Sequence, residues 1–155
     1  MIMESRSEHH KPDNIYGLQT DSRGQVLSLF VRQPFASALC DGLKSVEILS
    51  EDTEVRGNIL ICSTPTPDYP SAQGGCVIGI AELYAVKPVA DLTADDWEQT
   101  RVQDKERVRG GYAWMFRNQR RAVELPILPS SDRVRYMEID VDSVMLYPQF
   151  VYYDK

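Results

Sequence analysis

The sequence predicts an α+β domain that is mostly β: a mixed, mainly antiparallel β-barrel with two short helices. Two observations lead to this prediction. Segments with strand-type composition recur along the chain, at 27–31, 45–49, 57–63, 76–86, 112–116, 121–127 and 134–141, with a further candidate at 144–152. Only 35–40 and 94–104 have a helical pattern. Many short strands separated by turn residues, with few helices, are typical of barrels.

Length and composition fit one domain after a short polar segment. The chain has 155 residues, 43% hydrophobic and 26% charged, as in ordinary globular proteins. Residues 1–24 are polar, low in aliphatic side chains and interrupted by proline and glycine. We therefore expect a flexible N-terminal segment over 1–24 and a single folded domain over 25–155.

The first strand and the first helix meet at a proline. Residues 27–31 alternate in a strand-like way, and Gln33-Pro34 ends this strand, because proline donates no backbone hydrogen bond but suits the first turn of a helix. The apolar helical segment 35–40 is followed by Gly42, which adopts the left-handed cap conformation without steric cost. The next strand then begins near residue 45.

The later elements are separated by clear turn signals. Strands 57–63 and 76–86 are rich in Ile and Val, and the loop between them contains three prolines and a glycine pair. This loop is either a rim or lid over a site, or a connector. Thr93 is a good N-cap with acidic residues after it, so a helix should run from 94 to about 104. Gly110-Gly111 ends that region, and the last strands follow.

Charge and cysteine content limit the class of protein. The net charge of −6 and a sequence pI of about 4.9 argue against undirected binding to nucleic acid, although a local basic patch remains compatible with them. The sequence has no apolar run long enough to span a membrane and no signal-peptide core at its start. Three cysteines in apolar segments indicate reduced, buried thiols. We expect a cytoplasmic protein.

The sequence predicts no metal and no cofactor. His9-His10 lies in the polar N-terminal segment without cysteines or an acidic cluster at metal-ligand spacing. A glycine-rich phosphate loop, a nucleophile elbow and a Cys–His pair are all missing from the sequence. Any catalysis would therefore depend on Lys, Glu, Asp, Tyr, Ser or Thr.

Lys44 and Glu47 are the first candidates for a functional site. Lys44 follows the end of the first helix, where the helix dipole favours a cation, and Glu47 opens the next strand. A partly desolvated Lys44 could bind a carbonyl or phosphate group, or transfer a proton; alternatively it is a surface lysine that caps the helix. Glu47 could accept from an amino-bearing base edge or orient Lys44, or it is an exposed strand residue.

Further candidates flank this pair. Arg56, before Gly57, could reach a phosphate or form a rim salt bridge. Ser63 could supply a hydroxyl or make a turn hydrogen bond, and Gln33 could line the same hollow or cap the helix. Glu82, inside an apolar strand, points either to a cavity or to solvent.

A basic segment with aromatic residues is the best intrinsic argument for a nucleic-acid face. Trp114 could stack on a base, or could belong to the barrel core with its aromatic neighbours, and Arg117 follows on the same strand. Between 101 and 136 there are nine cations and four anions, a local charge of +5 in a chain of −6. A solvated charged face is the alternative.

These segments resemble the ASCH domain, a small β-barrel of the PUA-like superfamily. The hallmark of that family is a strand, Q-P-[WF], a helix, G-x-K-x-x-E-x-R, and R-G before a strand that ends in a small hydroxyl residue. The matching residues here are Gln33, Pro34, Phe35, Gly42, Lys44, Glu47, Arg56, Gly57 and Ser63. The segments 75–89 and 111–127 also look like the family, so the resemblance covers nearly everything after residue 25.

Two departures from the family pattern fall where a ligand is expected. Leu49 occupies the position of the arginine that usually follows the glutamate by two residues. The segment 128–140 replaces the basic, glycine-containing turn that often follows the proline-rich strand.

What the resemblance implies is a domain that binds RNA or a modified nucleotide between the first helix and the barrel. Lys44, Arg56 and the arginines near 117–121 (Arg117, Arg120 and Arg121) would contact phosphates, Glu47 and Ser63 would read a base or sugar, and no membrane partner is expected. The alternative is an amidohydrolase that removes an acyl group from N4-acylated cytidine, with Lys44 and Glu47 catalytic. In that subgroup threonine stands at the position of Glu47, and Glu98 is a loose match for a second glutamate. A third possibility is a protein-docking domain that uses the acidic region 91–98.

Overall fold

A computed structural model describes residues 14–70, 75–128 and 130–148. The elements are β1 (Val26–Arg32), α1 (Phe35–Cys40), β2 (Val46–Leu49), β3 (Gly57–Thr64), β4 (Cys76–Pro88), α2 (Ala94–Thr100), β5 (Tyr112–Pro126) and β6 (Val134–Met137), with 3-10 turns at Val89–Asp91, Lys105–Arg107 and Val141–Ser143. The predicted mostly-β fold with two short helices is confirmed.

The six strands form one curled sheet in the order β2-β5-β4-β3-β1-β6. All neighbouring pairs are antiparallel except β1 and β3, which run parallel because the chain leaves β1 through α1 and β2 before it returns in β3. The sheet curls into a half-barrel whose edge strands are β2 and β6. The mixed sheet that the sequence predicts is therefore present.

Both faces of the central strands are buried. Leu29 and Ile61 belong to a core cluster that also contains Leu39 of α1, whereas Phe30 and Leu60 belong to a second cluster. This explains why the buried centre of β3 is an unbroken apolar run and why β1 is mostly apolar, since a strand covered on both sides needs no polar face. Each large aliphatic side chain buried in this way contributes about 1.5–3 kcal/mol.

The segment before β1 packs on the sheet instead of remaining separate. Leu18 is buried in the second cluster and pairs with Asn58 in a parallel bridge, while Thr20 pairs with Val26. Leu18 thus supplies an apolar anchor within an otherwise polar stretch. The first 13 residues, with His9 and His10, lie outside the described residues.

Several predicted elements differ from those observed, among them the strand predicted at 134–141, which ends at Met137. The second helix stops at Thr100 instead of near 104, because Arg101 adopts a left-handed conformation with φ of 60°. The strands predicted at 112–116 and 121–127 are one continuous strand, β5. Within the described part of 144–152 only a single bridge, between Ala122 and Leu146, is present, and residues 149–152 lie outside the described residues.

Candidate functional site

Lys44 and Glu47 meet at a cleft between α1 and the two edges of the sheet. Lys44 follows the turn after α1 and Glu47 lies on the edge strand β2, opposite Trp114 of β5. The ammonium Nζ of Lys44 lies 2.9 Å from Oε1 of Glu47. Both residues line a hollow of about 500 Å³, and Glu47 lines a second hollow of about 480 Å³.

The two hollows form one cleft divided by a side-chain bridge. They share four residues, Arg32, Phe35, Glu47 and Arg133. The first hollow, which we call the lysine pocket, continues to the end of α2, and the second, the serine pocket, continues to residues 130–132. A guanidinium nitrogen of Arg133 donates to Oε2 of Glu47, and this contact separates the pockets.

The hydrogen-bonding capacity of Lys44 is directed into the protein. Its Nζ donates to the carbonyl oxygens of Val46 at 2.7 Å and Thr100 at 2.6 Å, and only 4% of the residue is exposed. Nζ also lies 5.8 Å from the centroid of the Phe35 ring. Thr100 is the last residue of α2, so Lys44 satisfies the C-terminal carbonyl of the second helix, not of the first as its sequence position had indicated.

Burial and charge act on Lys44 in opposite directions. Desolvation lowers the pKa of its ammonium below the ordinary value, and the neighbouring Glu47 carboxylate opposes this shift. Oε1 of Glu47 lies 2.9 Å from Nζ and is sealed from solvent. The carboxylate and the two carbonyl oxygens together fix the position of Nζ.

Arg133 supplies a guanidinium group close to the position where the family pattern expects one. Leu49 is 3% exposed and belongs to the first core cluster, so it contributes no polar group to the cleft. Arg133 reaches the same strand from the opposite edge of the sheet and donates to the carbonyl of Ile48 at 3.0 Å as well as to Glu47. Its side chain is 42% exposed, so part of the guanidinium remains open to the cleft.

Two further arginines line the lysine pocket. Arg32, at the end of β1, is exposed and makes no side-chain hydrogen bond or ion pair within the described part of the chain. Arg101 follows α2, and its Nε donates to the carbonyl of Leu43 at 2.6 Å while the rest of the side chain is exposed. Phe35 lies between them with 37% of its surface exposed.

The other predicted site residues lie outside the cleft. Gln33 caps α1, because its amide exchanges hydrogen bonds with the side chain and backbone of Ser37 at 2.9 and 3.0 Å. Ser63 is buried, and its hydroxyl is 3.5 Å from the carbonyl of Cys76, whereas its neighbour Thr64 lines the serine pocket. Arg56 is exposed and donates to the carbonyls of the loop that precedes it.

Trp114 belongs to the core, the second of its two predicted alternatives, and Arg117 lies away from the cleft. Trp114 is 1% exposed and its indole nitrogen donates to the carbonyl of Glu51 at 2.9 Å, so its ring packs in the core and no face is free for stacking. Arg117 lies farther along β5, where it pairs with Glu82 at 3.0 Å and stacks on Tyr84. It lines neither pocket of the cleft.

The sequence places Arg101 and Arg133 in the basic segment, but neither was predicted to belong to the site. Arg32 was not predicted as a site residue. The local charge of the segment was a valid signal for Arg101 and Arg133. It could not locate them, because the contacts of Arg133 with β2 join residues more than 80 positions apart.

The curled, mostly-β sheet with two helices has the PUA-like fold, a type generally associated with RNA binding. The model of the ASCH domain family matches residues 29–131, more than half of the chain, and the protein therefore belongs to the ASCH family. No curated protein sequence matches the chain significantly.

Solved structures support the same fold. The crystal structure of ASCH from Zymomonas mobilis is 16% identical, with a TM-score of 0.57, and the alignment covers 76% of this chain and 90% of that one. Crystal structures of a Tyr-to-Phe mutant and a Ser-to-Ala mutant of the Zymomonas mobilis protein match with the same identity, TM-score and share of this chain, and 93% and 91% of their own chains are covered.

Within residues 14–70, 75–128 and 130–148, no group of three metal-ligating side chains could hold a metal ion. In the same ranges, no helix has the length and apolar character needed to cross a membrane.

Proposed function

We propose that the cleft binds single-stranded RNA or a nucleotide. The observation that carries this proposal is the grouping of three exposed guanidinium groups, those of Arg32, Arg101 and Arg133, around the exposed ring of Phe35. Guanidinium groups bind phosphate oxygens with their forked donors, and an aromatic ring beside them offers a stacking surface for a base. The chain as a whole carries −6, so the excess of cations at the cleft is a local feature.

The cleft has the electrostatic character that a phosphate-bearing ligand requires. Glu47 is the single carboxylate among the residues that line the lysine pocket, against four cations. Both of its oxygens already face cations, Lys44 and Arg133, so its charge is neutralised within the protein. The arginines on the rim are consequently left to attract phosphate groups from solvent.

Lys44 and Glu47 would act mainly by positioning other groups. Lys44 ties β2 to the end of α2, and Glu47 holds Arg133 at the cleft. We propose that direct contacts with phosphate come from Arg32, Arg101 and Arg133, and that Glu47 meets the amino edge of a base when the ligand draws Arg133 away. Thr64, Ser130 and Ser131 add polar groups in the serine pocket.

Salt dependence and arginine substitutions test this proposal. Binding of a short fluorescent single-stranded RNA should weaken steeply as the salt concentration is raised, because each phosphate contact releases counterions. Arg32→Gln and Arg101→Gln should each weaken binding several-fold and reduce the slope of log K against log salt by about 0.7. Fluorescence anisotropy over a salt series measures both quantities.

Arg107→Gln is the matched control for loss of a cation. Arg107 is exposed in a 3-10 turn, pairs with Asp104 at 3.7 Å and does not line the cleft. This variant should bind RNA as the unchanged protein does. The proposed function would be contradicted if RNA affinity does not depend on salt. It would also be contradicted if Arg107→Gln lowers RNA affinity as much as Arg32→Gln and Arg101→Gln do.

The buried lysine is the observation that favours the second candidate, an N4-acylcytidine amidohydrolase. Desolvation lowers the pKa of Lys44, which brings the amine closer to the range in which it accepts a proton. The contacts of Nζ give this candidate less support, because with two N–H groups bound to carbonyls the lone pair of a neutral amine would face Glu47. Release of cytidine from an N-acylcytidine panel, lost in Lys44→Met, would favour it; no turnover would exclude it.

A further inference from the structure

A second polar hollow lies beyond the turn that carries Lys44. This niche, as we call it, has a volume of about 540 Å³, and every residue that lines it is polar or glycine. Gln119 lies in its wall, and the amide of that residue donates to the carbonyls of Leu39 at 2.8 Å and Lys44 at 2.7 Å. The niche and the lysine pocket are thus connected through the backbone of one turn. The niche is lined by Gly17, Gly57, Asn58, Glu82, Asn118, Gln119 and Arg120.

A bulge in β5 forms the niche. Ile80 pairs with Arg120 but Glu82 pairs with Arg117, so β5 has one more residue than β4 between these two pairs. Asn118, inside the bulge, has φ of 51°, a left-handed conformation that costs free energy for any residue with a side chain. Bulges redirect side chains and are frequent at functional sites, and local backbone strain also concentrates there.

The carboxylate in the niche is already neutralised. Oε2 of Glu82 pairs with Arg117 at 3.0 Å, and Oε1 accepts from Nδ2 of Asn118 at 2.5 Å. The hydrogen bond from Arg117 holds the pKa of Glu82 below its ordinary value. Arg117 in turn stacks on Tyr84, with 4.8 Å between the guanidinium carbon and the ring centroid. Glu82 and Arg117 therefore compensate each other at the rim.

Arg120 is held in the niche by neutral acceptors alone. Its Nε donates to the carbonyl of Asn118 and a terminal nitrogen donates to Oδ1 of Asn58, both at 2.7 Å. Within the described residues it forms no ion pair with a carboxylate. Asn58 is itself fixed, because its Nδ2 donates to the carbonyl of Tyr16 at 2.6 Å. Arg120 thus presents a preorganised positive charge that forms no ion pair within the described residues, and Glu82, the carboxylate nearest in charge effect, is itself paired with Arg117.

We propose that the niche is a phosphate subsite, in which Arg120 binds a phosphate group of the RNA strand that the cleft holds. This inference rests on the proposed function and extends it: the ligand is a strand that spans the turn at Lys44, not a single nucleotide. A phosphate suits the niche better than a base does, because the lining offers a guanidinium and amides and no apolar or aromatic side chain, and its one carboxylate, Glu82, is already paired with Arg117. A free phosphate compound is the other source of the same chemistry.

The experiment compares a strand with a mononucleotide. A single-stranded RNA octamer reaches the cleft and the niche together, whereas cytidine monophosphate occupies the cleft alone. Arg120→Gln should weaken octamer binding roughly fivefold and lower its salt slope by about 0.7, with the affinity for the mononucleotide unchanged. Arg107→Gln again controls for the loss of one charge. Anisotropy and isothermal titration calorimetry provide the two affinities.

A second variant distinguishes loss of the phosphate contact from loss of folding. Arg120→Lys keeps the charge but loses the fork that bonds Asn118 and Asn58. It should retain the full salt slope while it loses part of the octamer affinity. The urea midpoints of both variants show whether they are folded under the conditions of the binding assay.

A titration with inorganic phosphate separates the two sources of phosphate. If Arg120→Gln leaves octamer binding unchanged but phosphate shifts the NMR signals of the Asn118 side-chain amide only when Arg120 is present, the niche takes a free phosphate compound. If neither effect occurs, there is no phosphate subsite. The proposed function is judged separately by Arg32→Gln and Arg101→Gln, and so it can stand when this inference fails.

Discussion

Lys44 connects three parts of the chain through one ammonium group. It bonds the carbonyl of Val46 on β2 and that of Thr100 on α2, and it faces Glu47 across 2.9 Å. Removal of an ion from water is costly, and the hydrogen bonds and the Glu47 carboxylate offset only part of that cost, because desolvation still lowers the pKa of the ammonium. The protonation state of Lys44 is therefore linked to the stability of the cleft.

The lowered pKa of Lys44 makes the stability of the folded protein depend on pH. The pKa of Lys44 in the folded protein is below the ordinary value of 10.5, so between the two values the unfolded state binds more protons. The contribution of this group to stability therefore rises with pH across the interval. Lys44→Met lacks this contribution. Both proteins keep the buried thiols, including Cys40, whose pKa burial raises to about 12 and whose contribution to stability falls as the pH rises.

We expect the unfolding free energy of the unchanged protein, minus that of Lys44→Met, to increase from neutral pH toward pH 10.5. The increase should be about 1.4 kcal/mol for each unit by which the pKa is lowered. Urea unfolding of both proteins over a pH series measures this difference. If this difference in unfolding free energy is constant or declines with pH, desolvation is not the largest influence on the pKa of Lys44.

The sequence indicated that Lys44 and Glu47 were unusual, but not what they contact. Their spacing brings both to the start of β2, which local patterns predict well. Thr100 and Arg133, which complete their surroundings, lie 56 and 86 positions away from their respective partners. Such long-range contacts depend on the curl of the sheet, which local sequence patterns do not predict.

At the scale of elements, the end of α2 determines one wall of the lysine pocket. The capping box of Thr93 and Asp96 fixes the start of the helix, as its sequence predicts. The sequence gives no glycine or proline to stop it near residue 100, which is why the helix was expected to continue to about 104. It ends instead at Arg101, where φ is 60° and Nε bonds the carbonyl of Leu43.

Substitution of Arg101 separates backbone strain from ligand contact. Arg101→Gly and Arg101→Ala both remove the guanidinium, but only glycine adopts the left-handed conformation freely. We expect the glycine variant to be more stable than the alanine variant by about 1 kcal/mol in urea unfolding. Both should lose the same RNA affinity. Equal stabilities would show that the helix end relaxes without strain.

The long strand β5 shows a second limit of local patterns. Its polar centre, residues 117–121, resembles a turn between two strands, yet the chain continues through it as a bulged strand. The bulge is stabilised by bonds to other elements, such as that of Gln119 with Leu39 and that of Arg120 with Asn58. These tertiary contacts thus stabilise a continuous strand where the local composition favours a turn. The same bulge forms the niche.

At the scale of the whole molecule, Arg133 joins the two edges of the half-barrel. It precedes β6 at one edge, and its guanidinium donates to Glu47 and to the carbonyl of Ile48 on β2 at the other. Its Nε also lies 3.3 Å from the carbonyl of Phe30 on β1. The cleft lies between the two edges of the sheet, so the same side chain closes the sheet and lines the site.

This double role leads to a prediction about stability and motion. Arg133→Ala should lower the unfolding free energy by about 1–2 kcal/mol, because charge-assisted bonds are lost but the site is partly open to water. Amide hydrogen exchange should become faster along β2, whose remaining sheet partner is β5. Arg135→Ala is the control, since Arg135 is exposed on β6 and makes no side-chain hydrogen bond within the described residues. Exchange along β2 that is equal in the two variants would mean that packing of α2 and β5 alone holds this edge, and that Arg133 serves the ligand rather than the sheet.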